Sequence, residues 1–120
     1  MAFRFRNFKV YQEAKALHRK ILRLTNTFPH SSYYLADQAK RASLSILLNI
    51  AEGSSKQSDK DFNRFIAMSL GSADETIACL EIALDEKLIS KSEFAELEKE
   101  CETLSLQLGS LSKKLKASSH

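Results

Sequence analysis

The chain has 120 residues with a net charge of +3, of which 43% are hydrophobic and 28% charged, enough for one domain that buries a core without a metal or disulfide. Its 3 Gly and 1 Pro are too few for an architecture of strands and tight turns, so we predict an all-α fold. No secretory h-region and no apolar run near 18 residues is present, so we expect a soluble, cytoplasmic protein without membrane contact.

The charges are distributed unevenly along the chain. The net charge is +7 over residues 1–56, −6 over residues 57–100 and +2 over residues 101–120. Such asymmetry is typical of a face that binds nucleic acid. It is also typical of an oligomer in which the basic side of one subunit meets the acidic side of the next. The sequence leaves both interpretations open.

The first helix is predicted at about residues 8–27, after a short arm at residues 1–6 and with Asn7 as its N-cap. One face is apolar and the opposite face is basic. The basic residues are Lys15, Arg19 and Arg23 at i, i+4 and i+8, flanked by Lys9 and Lys20. Such a row is either a solvated surface or a surface for phosphates. The solvated surface is the ordinary interpretation of such a row, but the lack of interleaved acids counts against it, since Glu13 is the only acid of this helix.

The second helix is predicted at residues 33–52, after a turn at Phe28-Pro29. Gly53 is expected to end it in a left-handed conformation. One edge of this helix carries a polar ladder, whose members are Gln38, Arg41, Ser45, Asn49 and Glu52. We expect these side chains to form hydrogen bonds between helices, and the alternative is a binding site.

The second and third helices carry more apolar residues than one core needs. The third helix is predicted at residues 59–87 with Ser58 as its cap. The surplus residues are Leu44, Leu47, Leu48, Met68, Gly71, Ala78 and Ile82. Gly71 costs a helix interior about 1 kcal/mol relative to Ala, which indicates close approach of another backbone. We therefore predict that this face is the interface of a closed homo-oligomer.

The fourth helix is predicted at residues 92–116, with Ser90 and Glu93 as a capping box and a frayed tail at residues 117–120. The four helices have short connections and one apolar stripe each. We therefore predict a single domain over residues 1–120, an antiparallel up-down-up-down four-helix bundle.

No constellation of residues indicates catalysis. Cys79 and Cys101 lack metal-ligand spacing and fall on apolar faces, and the three His are isolated from one another. No phosphate-binding loop or zinc-protease motif is present. We therefore expect a protein that is not an enzyme and uses no metal or cofactor.

The run Arg41-Ala42-x-x-Ser45-Ile46-x-x-Asn49-Ile50-Ala51-Glu52-Gly53 resembles the signature of the bacterial four-helix-bundle proteins named after 23S rRNA intervening sequences. The opening Val10-Tyr11-Gln12 and the later Phe62-x-x-Phe65 are similar to the same family, although Tyr11 stands where Trp is usual.

This resemblance implies a protein without an assigned activity that is related to the pentameric accessory subunit of diversity-generating retroelements. It thus implies a ring of five subunits. It also implies a basic surface for nucleic acid, and a protein partner. We predict weak binding of RNA or DNA, without sequence specificity, through the basic face of the first helix. The alternative is an adaptor that binds another, unidentified protein and no nucleic acid.

Overall fold

A computed structural model describes residues 2–118, and these residues form helices without any strand. The helices are α1 (Lys9–Thr25), α2 (Tyr33–Ser54), α3 (Asp59–Asp85) and α4 (Lys91–Ser118), with short 3₁₀ turns at Arg4–Asn7 and His30–Ser32. The predicted all-α four-helix architecture is therefore confirmed. Each helix begins and ends within two residues of its predicted bounds.

Contacts between helix ends define the direction of each helix. Arg4, just before α1, donates from Nε to the carbonyl of Ser54 at the end of α2 (3.0 Å). Ser112, late in α4, donates to Asn63 Oδ1 near the start of α3 (2.6 Å). Lys20, late in α1, contacts Glu100 in the first half of α4 (2.8 Å). These contacts make neighbouring helices antiparallel, in a bundle of 48 × 23 × 20 Å.

The core runs along the whole bundle and takes one apolar stripe from each helix. Ile21, Ile46, Ile66 and Leu108, one from each helix, are all fully buried. Burying a side chain of this size stabilises the folded state by roughly 1.5–3 kcal/mol. The stripe of α1 is the predicted one, with Val10, Ala14, Leu17 and Ile21 buried.

Two of the three predicted N-caps form the expected hydrogen bonds. The backbone N–H of Asp61 donates to Ser58 Oγ (3.1 Å), and Ser90 and Glu93 exchange the two bonds of a capping box (2.8 and 3.0 Å). The predicted cap at Asn7 is wrong, because Asn7 ends the preceding 3₁₀ turn. Phe8 instead takes the capping position, with an extended backbone and no side-chain bond.

The predicted role of Gly53 is also wrong. Gly53 lies inside α2, and no glycine among residues 2–118 has a positive φ. A Cβ at this position would lie 2.7 Å from Cβ of Phe65 and 2.9 Å from Cδ1 of Phe62. Because Gly53 has no side chain, α3 can approach the end of α2 closely. The glycine therefore serves the packing of the two helices and not the termination of α2.

The arm and the tail both pack against the bundle. The Arg4 guanidinium lies 5.6 Å from the centre of the Phe62 ring, and Phe5 contacts Tyr11 edge to face. The prediction of a frayed tail is wrong for residues 117 and 118, because α4 continues to Ser118, whose hydroxyl donates to Asp59. Residues 119 and 120 of that predicted tail, and residue 1 of the arm, lie outside the described residues.

Across residues 2–118, none of the helices has the combination of length and apolar character that crossing a bilayer requires.

Candidate nucleic-acid interface

The central basic row of α1 points away from the core. Arg19 and Arg23 are exposed and Lys15 is half-buried. Within residues 2–118, none of these three side chains forms an ion pair with an acid. Their positive charges are therefore available to an external anion.

The two flanking lysines have a different environment. Lys20 Nζ lies 2.8 Å from Glu100 and 3.2 Å from Glu96, both on α4. These hydrogen bonds, the one to Glu100 first, raise the pKa of Lys20. Lys9 lies 3.8 Å from Glu13 on the same helix. Both lysines already have acidic neighbours, so they contribute less to an anion-binding surface than the sequence predicts.

The two long edges of α1 differ in charge. On the α4 side, Arg23 shares a shallow surface cavity with Glu93 and Glu96. On the α2 side, Lys40 is exposed and has no ion pair among the described residues. The cations without an ion pair therefore extend from α1 onto α2, and Arg23 is the one that borders acids of α4. We call Lys15, Arg19, Arg23 and Lys40 the α1–α2 basic face.

A hydrogen bond between the helices explains the position of Lys40. His18 Nδ1 lies 2.8 Å from Ser43 Oγ, and the Ser43 hydroxyl donates to the carbonyl of Lys40 (3.2 Å). Because the Ser43 hydroxyl proton is used in the bond to Lys40, Nδ1 of His18 is the donor in the bond between His18 and Ser43. Burial lowers the pKa of His18. Sequence reasoning missed Lys40 because periodicity does not give the register between two helices.

Three residues of the polar ladder form hydrogen bonds, of which Gln38 and Ser45 reach α3 and Asn49 bonds within α2. Ser72 Oγ donates to Ser45 Oγ (2.9 Å), and Asn49 Nδ2 donates to the carbonyl of Ser45 (2.9 Å). Gln38 donates to the carboxylate of Glu75. Hydrogen bonds of this kind are expected of ladder residues that hold helices together, and not of a binding site.

The remaining ladder residues lie apart from this network. Arg41 forms an exposed ion pair with Asp37 one turn earlier (2.9 Å), and Glu52 is exposed near the end of α2. The five ladder residues therefore do not converge on one pocket.

Most residues of the predicted oligomer interface are exposed on one side of the bundle, across α2 and α3. The exposed fraction is 52% for Leu48 and 55% for Met68. Leu44, Ile82, Gly71 and Ala78 are exposed as well. We call these six residues the α2–α3 apolar face.

The prediction for Leu47 is wrong. Its exposed fraction is only 6%, and it belongs to the core. Leu47 follows Ser43 by one helical turn, and Ser43 faces α1 through its bond to His18. Leu47 is therefore turned toward α1 and into the core.

Gly71 has open space around it. Apart from the neighbouring backbone of α3 itself, no atom of residues 2–118 lies within 4 Å of the place where a Cβ would be. Within residues 2–118, no other backbone makes the close approach that the sequence predicts.

The two cysteines are unpaired and buried, as their positions in the sequence indicate. Burial, with smaller effects of Glu100 and Glu98, raises the pKa of Cys101 to about 12. No cluster of His, Cys, Asp and Glu that could hold a metal occurs in the part of the chain that the structure describes. These thiols are core residues.

The family model described as 23S rRNA-intervening sequence protein matches residues 6–110 of this chain. The chain is also similar in structure to a protein with unknown function from the S23 ribosomal protein family of Bacteroides thetaiotaomicron VPI-5482, solved at 1.70 Å resolution. The TM-score is 0.82 at 23% sequence identity, over 87% of this chain and 98% of the other. At this identity the likeness concerns the fold alone. No curated protein matches the sequence.

Proposed function

This chain belongs to the 23S rRNA-intervening sequence protein family, and we propose that it binds RNA or DNA weakly and without sequence specificity through its α1–α2 basic face. The observation that supports this function is that Lys15, Arg19 and Arg23 have no ion pair within residues 2–118, whereas the neighbouring Lys20 has two. A solvated helix surface usually carries acids at i, i+4 from its cations. These three cations have none.

The proposed contact is with phosphates. Binding then releases counterions, and log K falls with log salt by about 0.7–0.9 for each neutralised phosphate. The few cations of one chain give only weak binding. Repetition of the face in an oligomer multiplies the number of contacts, and five copies carry about fifteen of the α1 cations.

We propose that the chain forms such an oligomer through the α2–α3 apolar face, as a ring of five subunits. Leu48 and Met68 support this proposal, because each leaves more than half of its surface exposed on the same side of the bundle. An apolar face of this kind is typical of a protein contact. A head-to-tail ring also lets the basic first half of one chain approach the acidic half of the next.

Binding of structured RNA and duplex DNA over a salt titration tests the nucleic-acid function. The wild type is compared with the triple variant Lys15→Glu/Arg19→Glu/Arg23→Glu. We expect wild-type binding at about 50 mM salt that weakens steeply as salt rises. The triple variant should lose binding.

The matched control is Lys99→Glu/Lys113→Glu/Lys114→Glu, which changes the net charge equally at three exposed positions of α4. This control should keep most of the affinity, since a positive face and not the net charge is proposed to bind. Absence of wild-type binding at low salt, or equal losses in both triple variants, contradicts the proposal. An adaptor that binds another protein then becomes the leading function.

A further inference from the structure

An aromatic cluster is exposed at the turn between α1 and α2. The exposed fraction is 59% for Tyr33 and 68% for Tyr34, and His30 is exposed beside them. The rings of His30 and Tyr33 lie 4.6 Å apart, centre to centre, with an angle of 47° between their planes. The neighbouring Phe28 is buried. The turn is thus anchored by one aromatic ring and presents three others to solvent.

Tyr33 lies on the same surface as the α1–α2 basic face. Tyr33 and Lys40 are seven residues apart on α2, two turns of one helix face and about 10 Å along its axis. Lys40 in turn borders α1 through the hydrogen bonds of Ser43. An aromatic ring and several cations therefore form one continuous surface.

The only acid of α2 between Tyr33 and Lys40 is Asp37. Its carboxylate is paired with Arg41 at 2.9 Å. The acids that contact α1 from α4, Glu96 and Glu100, lie on the other edge of that helix and bind Lys20. A polyanion on the α2 side of α1 thus meets cations and aromatic rings before it meets an unpaired carboxylate.

We propose that this surface takes a single-stranded segment of nucleic acid, with phosphates on Lys15, Arg19 and Lys40 and an unpaired base stacked on Tyr33. The inference rests on the proposed function and names its substrate class. Bases of any sequence stack on aromatic side chains, each contributing about 1–3 kcal/mol. In a duplex the bases are stacked on one another, so no base is free to stack on Tyr33 and the ring adds no binding energy. The proposed surface therefore prefers single strands to duplexes and does not distinguish base sequences.

The test compares two probes of the same mixed sequence, a single strand of about 20 nucleotides and the corresponding duplex, by fluorescence anisotropy. The variants are Tyr33→Ala and Tyr33→Phe. Phe3→Ala is the control, because Phe3 is exposed to a similar extent but lies beside the other end of α2. Circular dichroism and size-exclusion chromatography accompany each variant.

We expect Tyr33→Ala to weaken single-strand binding by about 5- to 150-fold, the stacking energy converted to affinity. The salt slope should stay unchanged, because the phosphate contacts remain. Tyr33→Phe should bind like the wild type, since it keeps the ring. Duplex binding should change little in either variant, and Phe3→Ala should have no effect.

Two results overturn this inference while the proposed function stands: equal wild-type affinity for both probes, or unchanged single-strand binding by Tyr33→Ala. A third result is a change in oligomeric state by Tyr33→Ala without loss of single-strand affinity. This result would assign the Tyr33 side chain to a contact between subunits, and it also overturns the inference. Absence of wild-type binding to either probe at low salt overturns the proposed function itself.

Discussion

At the scale of single residues, the environment of His18 predicts that the stability of the protein depends on pH. His18 lies between α1 and α2 and contacts a fully buried serine, Ser43. Burial favours the neutral imidazole, which lowers the pKa of His18 from its ordinary value of 6.5. The unfolded chain, where the side chain is hydrated, therefore binds a proton more readily than the folded chain.

The stability of the protein should depend on pH through this residue. The contribution of His18 is fully present above pH 6.5 and is lost as the pH falls from there through the lower pKa of the folded state. Urea denaturation at neutral and mildly acidic pH measures it. His18→Gln, which keeps a partner for Ser43 but does not titrate, should show a smaller pH dependence than the wild type. Equal pH dependence in both proteins excludes the assignment, because all other groups are common to them.

Residue identity alone is an incomplete guide to a side chain's role. Lys20 belongs by spacing to the basic face of α1, but its acidic partners are 76 and 80 positions away in the sequence. Lys40 forms no ion pair among the described residues and joins that face from another helix. Both outcomes depend on how the helices are placed around one another, which local periodicity does not determine.

At the scale of helices, the pairing of α2 with α3 depends on Gly53. The phenyl-bearing Cβ of Phe65 occupies the space where a methyl group at Gly53 would lie. Further along the same pair, Ser69 Oγ donates to the carbonyl of Ile46 (2.7 Å). Close contact and buried hydrogen bonds thus set the register of these two helices.

Gly53→Ala should lower the free energy of unfolding by about 1–3 kcal/mol, since the new Cβ forces the helices apart. The matched control is Gly109→Ala in α4, where no atom of residues 2–118 outside the neighbouring α4 backbone lies within 4 Å of the added Cβ. This control should raise stability by about 0.5–1 kcal/mol, because alanine favours the helix over glycine. Chemical denaturation measures both changes. A Gly53→Ala variant as stable as Gly109→Ala shows that the contact is not limiting.

Helix positions were predictable from the sequence because each apolar stripe repeats with the helical period, and Ser58 and Ser90 mark two of the starts. Helix rotation was not equally predictable. Leu47 was predicted to face outward with its neighbour Leu48, and the structure buries it against α1. Gly53 was misassigned for another reason: glycine serves both helix termination and close packing, and the sequence pattern is the same for both.

At the scale of the whole molecule, the α2–α3 apolar face exposes several hydrophobic side chains together. It combines exposed Leu48 and Met68 with Gly71, around which the chain itself leaves open space. A second copy that packs there removes apolar surface from water at about 25 cal/mol per Å². The face is therefore the place to test the proposed assembly.

Leu48→Glu should dissociate the proposed oligomer while the helix content measured by circular dichroism stays unchanged. A charge placed in a buried contact without a partner is strongly unfavourable. Leu106→Glu is the control, because Leu106 is 74% exposed on α4, outside the proposed interface. Native mass spectrometry at micromolar concentration reports the assembly. A monomeric wild type, or dissociation by both substitutions alike, rejects the proposed interface.

The arm and the last turn of α4 both contact the same end of the bundle. Arg4 lies over Phe62 and Ser118 binds Asp59, so the chain enters and leaves the bundle beside the start of α3. Tyr33 begins α2, whose other end lies at Arg4. A tether or fluorophore joined at either terminus is therefore held away from the aromatic cluster. Molecules immobilised through either terminus point their exposed tyrosines outward from the support.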